Sequence, residues 1–181
     1  MSAPTAKDVR IAVLYPAEEI AARVRALAGE IAGTAGRNPL VIPVLKGSFI
    51  FAADLLRALH EAGVEPDMDF ISLSSYGAGT HSLGEVRIVR DTETVVSGRD
   101  VILVDDILES GRTLAFAKDL MAARGARSVR TCVLLRKPGK LAVELEADFV
   151  GFDCPDRFVL GYGMDVAHAY RQLPFVGYVE R

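Results

Sequence analysis

Basic excess, cysteine, histidine and long apolar runs are all scarce in this chain, and each scarcity removes a class of function. Lys and Arg total 21 against 24 Asp and Glu, a formal net charge of −3, whereas a broad nucleic-acid footprint needs a basic surplus. Cys132 and Cys154 have no partner at zinc or redox-pair spacing; both are expected as reduced thiols, Cys132 in the core and Cys154 in or near a loop. The best apolar run, residues 44–59, is broken by Lys46, Asp54 and Arg57, and the opening residues hold no apolar signal-peptide core. A soluble, cytoplasmic protein with no membrane and no nucleic-acid partner is the resulting expectation. Neither G-x-x-x-x-G-K-S/T nor G-x-G-x-x-G occurs, so the two best-known phosphate loops are excluded. No cluster of metal-ligating side chains is present either.

What the chain does have is apolar residues, half of its 181, enough for one domain over 1–181 with a substantial core. It is organised around Val101, Ile102, Leu103 and Val104, a short β-branched run that reads as a central parallel strand buried on both faces. Asp105 and Asp106 then stand where the strand leaves the sheet, followed by a turn of Glu109, Ser110, Gly111, Arg112 and Thr113 and by a helical pattern over 114–121. A helix start offers unpaired N–H groups and partial positive charge, and Gly111 lets backbone approach an anion. Carboxylates repel phosphate but accept hydrogen bonds from a sugar diol, as acids do in dinucleotide sites. The combination points to a ribose 5-phosphate, hydroxyls on Asp105 and Asp106 and phosphate in the turn. A helix-capping turn would explain one acid but not two and Glu109 as well.

Residues 9–14 read as a strand and Pro16 opens a helix whose Ile20, Val24, Leu27 and Ile31 form one stripe, ended by Gly33 and Gly36. Residues 40–45 form the next strand, followed by Lys46, Gly47 and Ser48 and a helix over 49–60 stopped by Gly63. Residues 69–75 and 85–90 alternate as strands around a glycine-rich segment, 76–84, expected to be mobile. His81 within it reads as a loop-tip side chain. Residues 128–135 and 148–153 are further strands, and 173–179 a closing one. Arg124, Arg127, Arg130 and Arg136 form a local basic cluster, read as solvated surface or a subunit contact.

The 101–114 stretch closely resembles the phosphoribosyl pyrophosphate motif of the type I phosphoribosyltransferases, and the rest of the chain looks like their hypoxanthine (guanine) branch. The resemblance implies an α/β fold, a mostly parallel sheet flanked by helices, with a small hood from about 1–15 and 154–181. It implies transfer of ribose 5-phosphate from phosphoribosyl pyrophosphate to hypoxanthine or guanine, by a homodimer or homotetramer. Asp105, Asp106, Glu109, Ser110, Gly111, Arg112 and Thr113 would bind the phosphoribosyl group, and Lys46, Gly47 and Arg171 the pyrophosphate, with the Leu45–Lys46 peptide cis. Lys137 would read the purine 6-oxo group, Phe158 would stack on the base, and Val159 and Asp165 would complete the purine site. Mg²⁺ would be held mainly by substrate oxygens and waters, with Asp105, Asp106 and Asp165 contributing. Ser75 and Tyr76 resemble the catalytic loop that closes over the site.

Glu109 occupies the place of the acid that handles the purine N7 proton. The family usually has aspartate there, and commonly glutamate where this chain has Asp105. Two other readings compete: a regulator of the same fold that binds the donor with little transfer, and a pyrimidine-specific transferase.

Overall fold

The computed structural model describes residues 10–76 and 85–180, without the Tyr76 side chain. The glycine-rich segment after Tyr76, with His81, therefore lies outside the described residues. The core of the fold is a sheet ordered β5-β4-β2-β6-β7-β8, where β2 is Leu40–Leu45, β4 Ile71–Tyr76, β5 Glu85–Arg90, β6 Asp100–Leu108, β7 Ser128–Arg136 and β8 Phe149–Asp153. A two-residue β3, Asp67–Met68, pairs with the start of β2. Within this sheet all described pairings are parallel except β4 with β5.

Period-two alternation puts β6 between two cores. Ile102 and Val104 pack with α1 (Ala17–Ala32) and α2 (Phe49–Glu61), while Val101 and Leu103 pack with α3 (Arg112–Ala123) on the other face. Burying each such side chain stabilises the fold by roughly 1.5–3 kcal/mol, which explains an apolar run without polar alternation in the central strand. The stripe of Ile20, Val24, Leu27 and Ile31 is buried as its spacing predicts. Gly33, however, closes α1 with an ordinary right-handed φ of −71°, so its helix end is not a left-handed cap. Gly63 and Gly125, at φ +82° and +83°, do turn the chain left-handed beyond α2 and α3.

A second, antiparallel sheet, β1-β10-β9, joins the two ends of the chain: β1 Ile11–Tyr15, β9 Val159–Leu160 and β10 Val176–Val179. Tyr15 stacks on Phe152 with centroids 4.3 Å apart and donates its hydroxyl to the Asp153 carbonyl at 2.6 Å. These contacts seat the small sheet against the carboxyl end of β8.

In the basic cluster, Arg124, Arg127 and Arg136 are ion-paired with Asp91, Asp100 and Asp153. Cys132 and Cys154 are both free and buried, Cys154 just beyond β8. No helix among the described residues is long and apolar enough to cross a membrane.

Candidate active site

The strand that carries the acidic pair does not end before it. β6 continues to Leu108 along β7, with Asp105 opposite Val133 and Leu108 opposite Arg136, while its ladder with β2 stops at Pro43 opposite Val104. The acids thus lie inside a strand, correcting the expectation that they follow its end. One edge of that strand is released where β2 gives way to the Lys46 turn. The Leu45–Lys46 peptide there is cis, as expected. Each carboxylate accepts from the next backbone amide: Asp106 N–H to Asp105 Oδ1 and Ile107 N–H to Asp106 Oδ1, both 2.9 Å. Burial raises the proton affinity of both carboxyls, and for Asp105 the charge of Asp106 adds to it.

Gly47 comes so close that a Cβ on it would lie 1.8 Å from Asp106 Oδ2. Gly163 is stacked on Gly47 in turn, its own would-be Cβ 2.3 Å from the Gly47 carbonyl oxygen. Only glycine permits both approaches.

Below the acids, Gly111 is left-handed at φ +77° and opens α3 with no side-chain cap. The first turn therefore offers backbone amides of the kind that bind anions. Ser110 Oγ lies 3.5 Å from the Arg112 amide, and the Ser110 carbonyl accepts from Ala142 N–H at 2.9 Å. A cleft of about 340 Å³ is lined by Lys46, Gly47, Ser75, Asp105, Asp106, Glu109, Ser110, Gly111 and Thr113. The structure thus brings together most of the residues expected around a phosphoribosyl group. The exposed Arg112 is not part of that lining.

A larger cleft of about 640 Å³ adjoins it, sharing Lys46, Gly47, Asp106 and Glu109 and adding Lys137, Phe158, Val159, Asp165 and Arg171. Lys137 follows β7, its amide donating to the Leu108 carbonyl at 2.9 Å. Its ammonium is buried and lies 3.2 Å from Glu109 Oε1. Phe158 is 66% exposed beside the buried Val159, so the ring is not core filler.

Arg171 donates to the Gly163 carbonyl at 2.7 Å and pairs with Asp165 Oδ1 at 3.0 Å. Asp165 Oδ2 accepts the His168 amide at 2.7 Å. Both Asp165 oxygens are thus engaged, which suits it to orienting Arg171 as much as to facing a cation. Among the described residues no group of three or more His, Cys, Asp or Glu side chains could by itself hold a metal. Sequence reasoning missed Leu73, Val89 and Ile107, and gave Gly163 and Met164 no role of their own within the stretch read as the hood. The Gly161-Tyr162-Gly163 triplet was the one visible signal among them, since paired glycines mark close backbone approach.

The fold sets an acidic pair and an amide-rich turn at the carboxyl edge of a parallel sheet, and residues 11–167 match the family model of the phosphoribosyl transferase domain. The chain is 43% identical over 166 residues to the hypoxanthine-guanine phosphoribosyltransferase of Bacillus subtilis, covering 91% of each. It superposes on a hypoxanthine-guanine phosphoribosyltransferase crystal structure from Bacillus anthracis with a TM-score of 0.88 at 41% identity, covering 96% of this chain and 100% of that one. It is also 47% identical over 166 residues to the bifunctional protein TilS/HprT of Listeria monocytogenes; that match covers 91% of this chain and spans a quarter, 25%, of the Listeria protein's length. The chain belongs to the hypoxanthine-guanine phosphoribosyltransferase family.

Proposed function

We propose that the chain transfers ribose 5-phosphate from phosphoribosyl pyrophosphate to hypoxanthine or guanine, releasing pyrophosphate and forming the nucleoside monophosphate. The observation that carries this reading is the buried Lys137 ammonium, 3.2 Å from Glu109 at the junction of the two clefts. A cation donates to a 6-oxo group and has no use for the 6-amino group of adenine. Phe158 offers an exposed face for base stacking.

In this reading Asp105 and Asp106 accept from the ribose hydroxyls, and the turn from Ser110 to Thr113 holds the 5-phosphate. Lys46, the Gly47 amide and Arg171 face the pyrophosphate. As the C1′–oxygen bond breaks, these cations and amides stabilise the leaving charge, an electrostatic and positional contribution. Purine nitrogen attacks C1′ from the Lys137 side, and Glu109 holds the proton at N7. The two acids, adjacent and reluctant to ionise, would gain from a cation or hydroxyl donors in front of them. They fit Mg²⁺ carried by the donor's own oxygens, which supplies charge neutralisation at the pyrophosphate when bound. The small β1-β10-β9 sheet would serve as the hood, residues 1–9 and 181 of which lie outside the described residues. Closure by Ser75 and Tyr76 and assembly as a dimer or tetramer complete the proposal, in a cytoplasmic salvage enzyme.

Pyrophosphate release tests it, with donor and Mg²⁺ and each of hypoxanthine, guanine, xanthine, adenine and uracil. Turnover with the 6-oxopurines and not adenine is expected. Donor binding without release would make the chain a regulator, and release with uracil alone a pyrimidine transferase.

A further inference from the structure

Residues 161–173 fold back on themselves at the rim of the larger cleft. Tyr162 N–H donates to the Leu173 carbonyl and Gly163 N–H to the Arg171 carbonyl, both at 2.9 Å, while the Arg171 side chain returns to the Gly163 carbonyl. Tyr162, Ala167, His168 and Tyr170 have positive φ, 50°, 48°, 70° and 74°. L-residues keep that conformation only where the surroundings impose it. Tyr162 and Met164, at the start of the segment, pack into the core, and beside them lies a cavity of about 340 Å³ bounded by Ile20, Ile50, Asp54, Tyr162, Arg171 and Leu173. At the edge of that cavity the Tyr162 hydroxyl donates to Asp54 Oδ2, which adds a polar tie from the segment to α2. The Tyr162 side chain is buried, and burial together with Asp54 holds its phenol in the protonated, donating form. Neither Tyr162 nor Asp54 lines either cleft of the active site.

We propose that Tyr162 and Asp54 are positioning residues: their hydrogen bond fixes, from behind the cleft, the turn that presents Arg171 to the pyrophosphate of the donor. The inference rests on the transferase reading above and adds a determinant of donor affinity outside the cleft. A nucleoside monophosphate uses the phosphoribosyl and purine sites but has no pyrophosphate, so the two ligands separate this role from general stabilisation.

The experiment is calorimetric titration of wild type, Tyr162→Phe, Asp54→Ala and Asp54→Asn with Mg²⁺-phosphoribosyl pyrophosphate and, separately, with GMP. Tyr162→Phe and Asp54→Ala should each weaken donor binding by roughly tenfold, as loss of one charge-assisted bond does, with GMP affinity within about twofold. Asp54→Asn keeps an acceptor oxygen and should bind the donor like wild type, and the Tyr162→Phe/Asp54→Ala pair should be no worse than either single change. Equal weakening for both ligands, or no weakening of the donor in the variant that folds, overturns the inference. A wild-type chain that binds neither ligand overturns the transferase reading and this inference with it.

Discussion

Lys137 and Glu109 form one ion pair across 28 residues of chain, Nζ to Oε1 at 3.2 Å, with the lysine side chain 8% and the glutamate 50% exposed. The lysine is buried and the glutamate half exposed, so in the proposed transfer an arriving oxo group would take the place of Glu109 on the ammonium. Removing the lysine should therefore be felt by the base and not by the donor. Lys137→Ala is expected to raise KM for hypoxanthine about 10- to 100-fold, the loss of one hydrogen bond to a charged group. KM for phosphoribosyl pyrophosphate should change less than about threefold, as steady-state kinetics with each substrate varied will show.

Glu109 reaches into both clefts, where a general acid–base group contributes on the order of 10²-fold or more. Glu109→Ala should lower kcat by about that factor and leave donor affinity within a few-fold. Glu109→Asp, the residue usual at this place in the family, should retain activity. A kcat for Glu109→Ala within about threefold of wild type would remove the proton-handling role.

The acidic pair sets a trade between function and stability. Their folded-state pKa values stand above those of the unfolded chain, so the folded state binds more protons and stability falls as pH rises through the interval. Asp105→Asn keeps the acceptor for the Asp106 amide and loses the charge. It should melt at a higher temperature than wild type near pH 7, the gap closing below about pH 4, while donor affinity in calorimetry falls.

At the other end of the same strand the sign reverses. Hydrogen bonds from Arg127 and then Ser128 hold the Asp100 carboxyl down to about 2. The stability it contributes is present above the ordinary carboxylate value and lost as pH falls toward 2. Asp100→Asn should lower the melting temperature at pH 7, with most of the gap to wild type gone by pH 2, read by thermal denaturation monitored by circular dichroism.

Crowding at Gly47 supplies a further prediction. A methyl there would meet Asp106 Oδ2 at 1.8 Å and its carboxyl carbon at 2.7 Å, which forces the acid or the turn to move. Gly47→Ala should cost about 1–3 kcal/mol of stability by overpacking and weaken donor binding at least tenfold in the same calorimetric titration.

Much of this was legible in the chain because the deciding forces are local. The Val101–Val104 run and the stripe from Ile20 to Ile31 report burial through periodicity alone, and their strand and helix form where that period places them. The continuation of β6 through Asp105 and Asp106 was hidden, because it comes from pairing with β7 and carboxylates carry no strand signal. The two-residue strands β3 and β9 are too short to have a period. The contact of Lys137 with Glu109 and the left-handed backbone at Tyr162, Ala167, His168 and Tyr170 are tertiary results. No propensity of those residue types announces them.

The stacking of Gly163 on Gly47 and of Gly47 on Asp106 has a mechanical result. Three walls of the cavity meet main chain to main chain or main chain to carboxylate, with no pliable side chain interposed, so they act as a single bracket. Ser72, Leu73 and Ser74, which line the larger cleft from β4, stand outside that bracket.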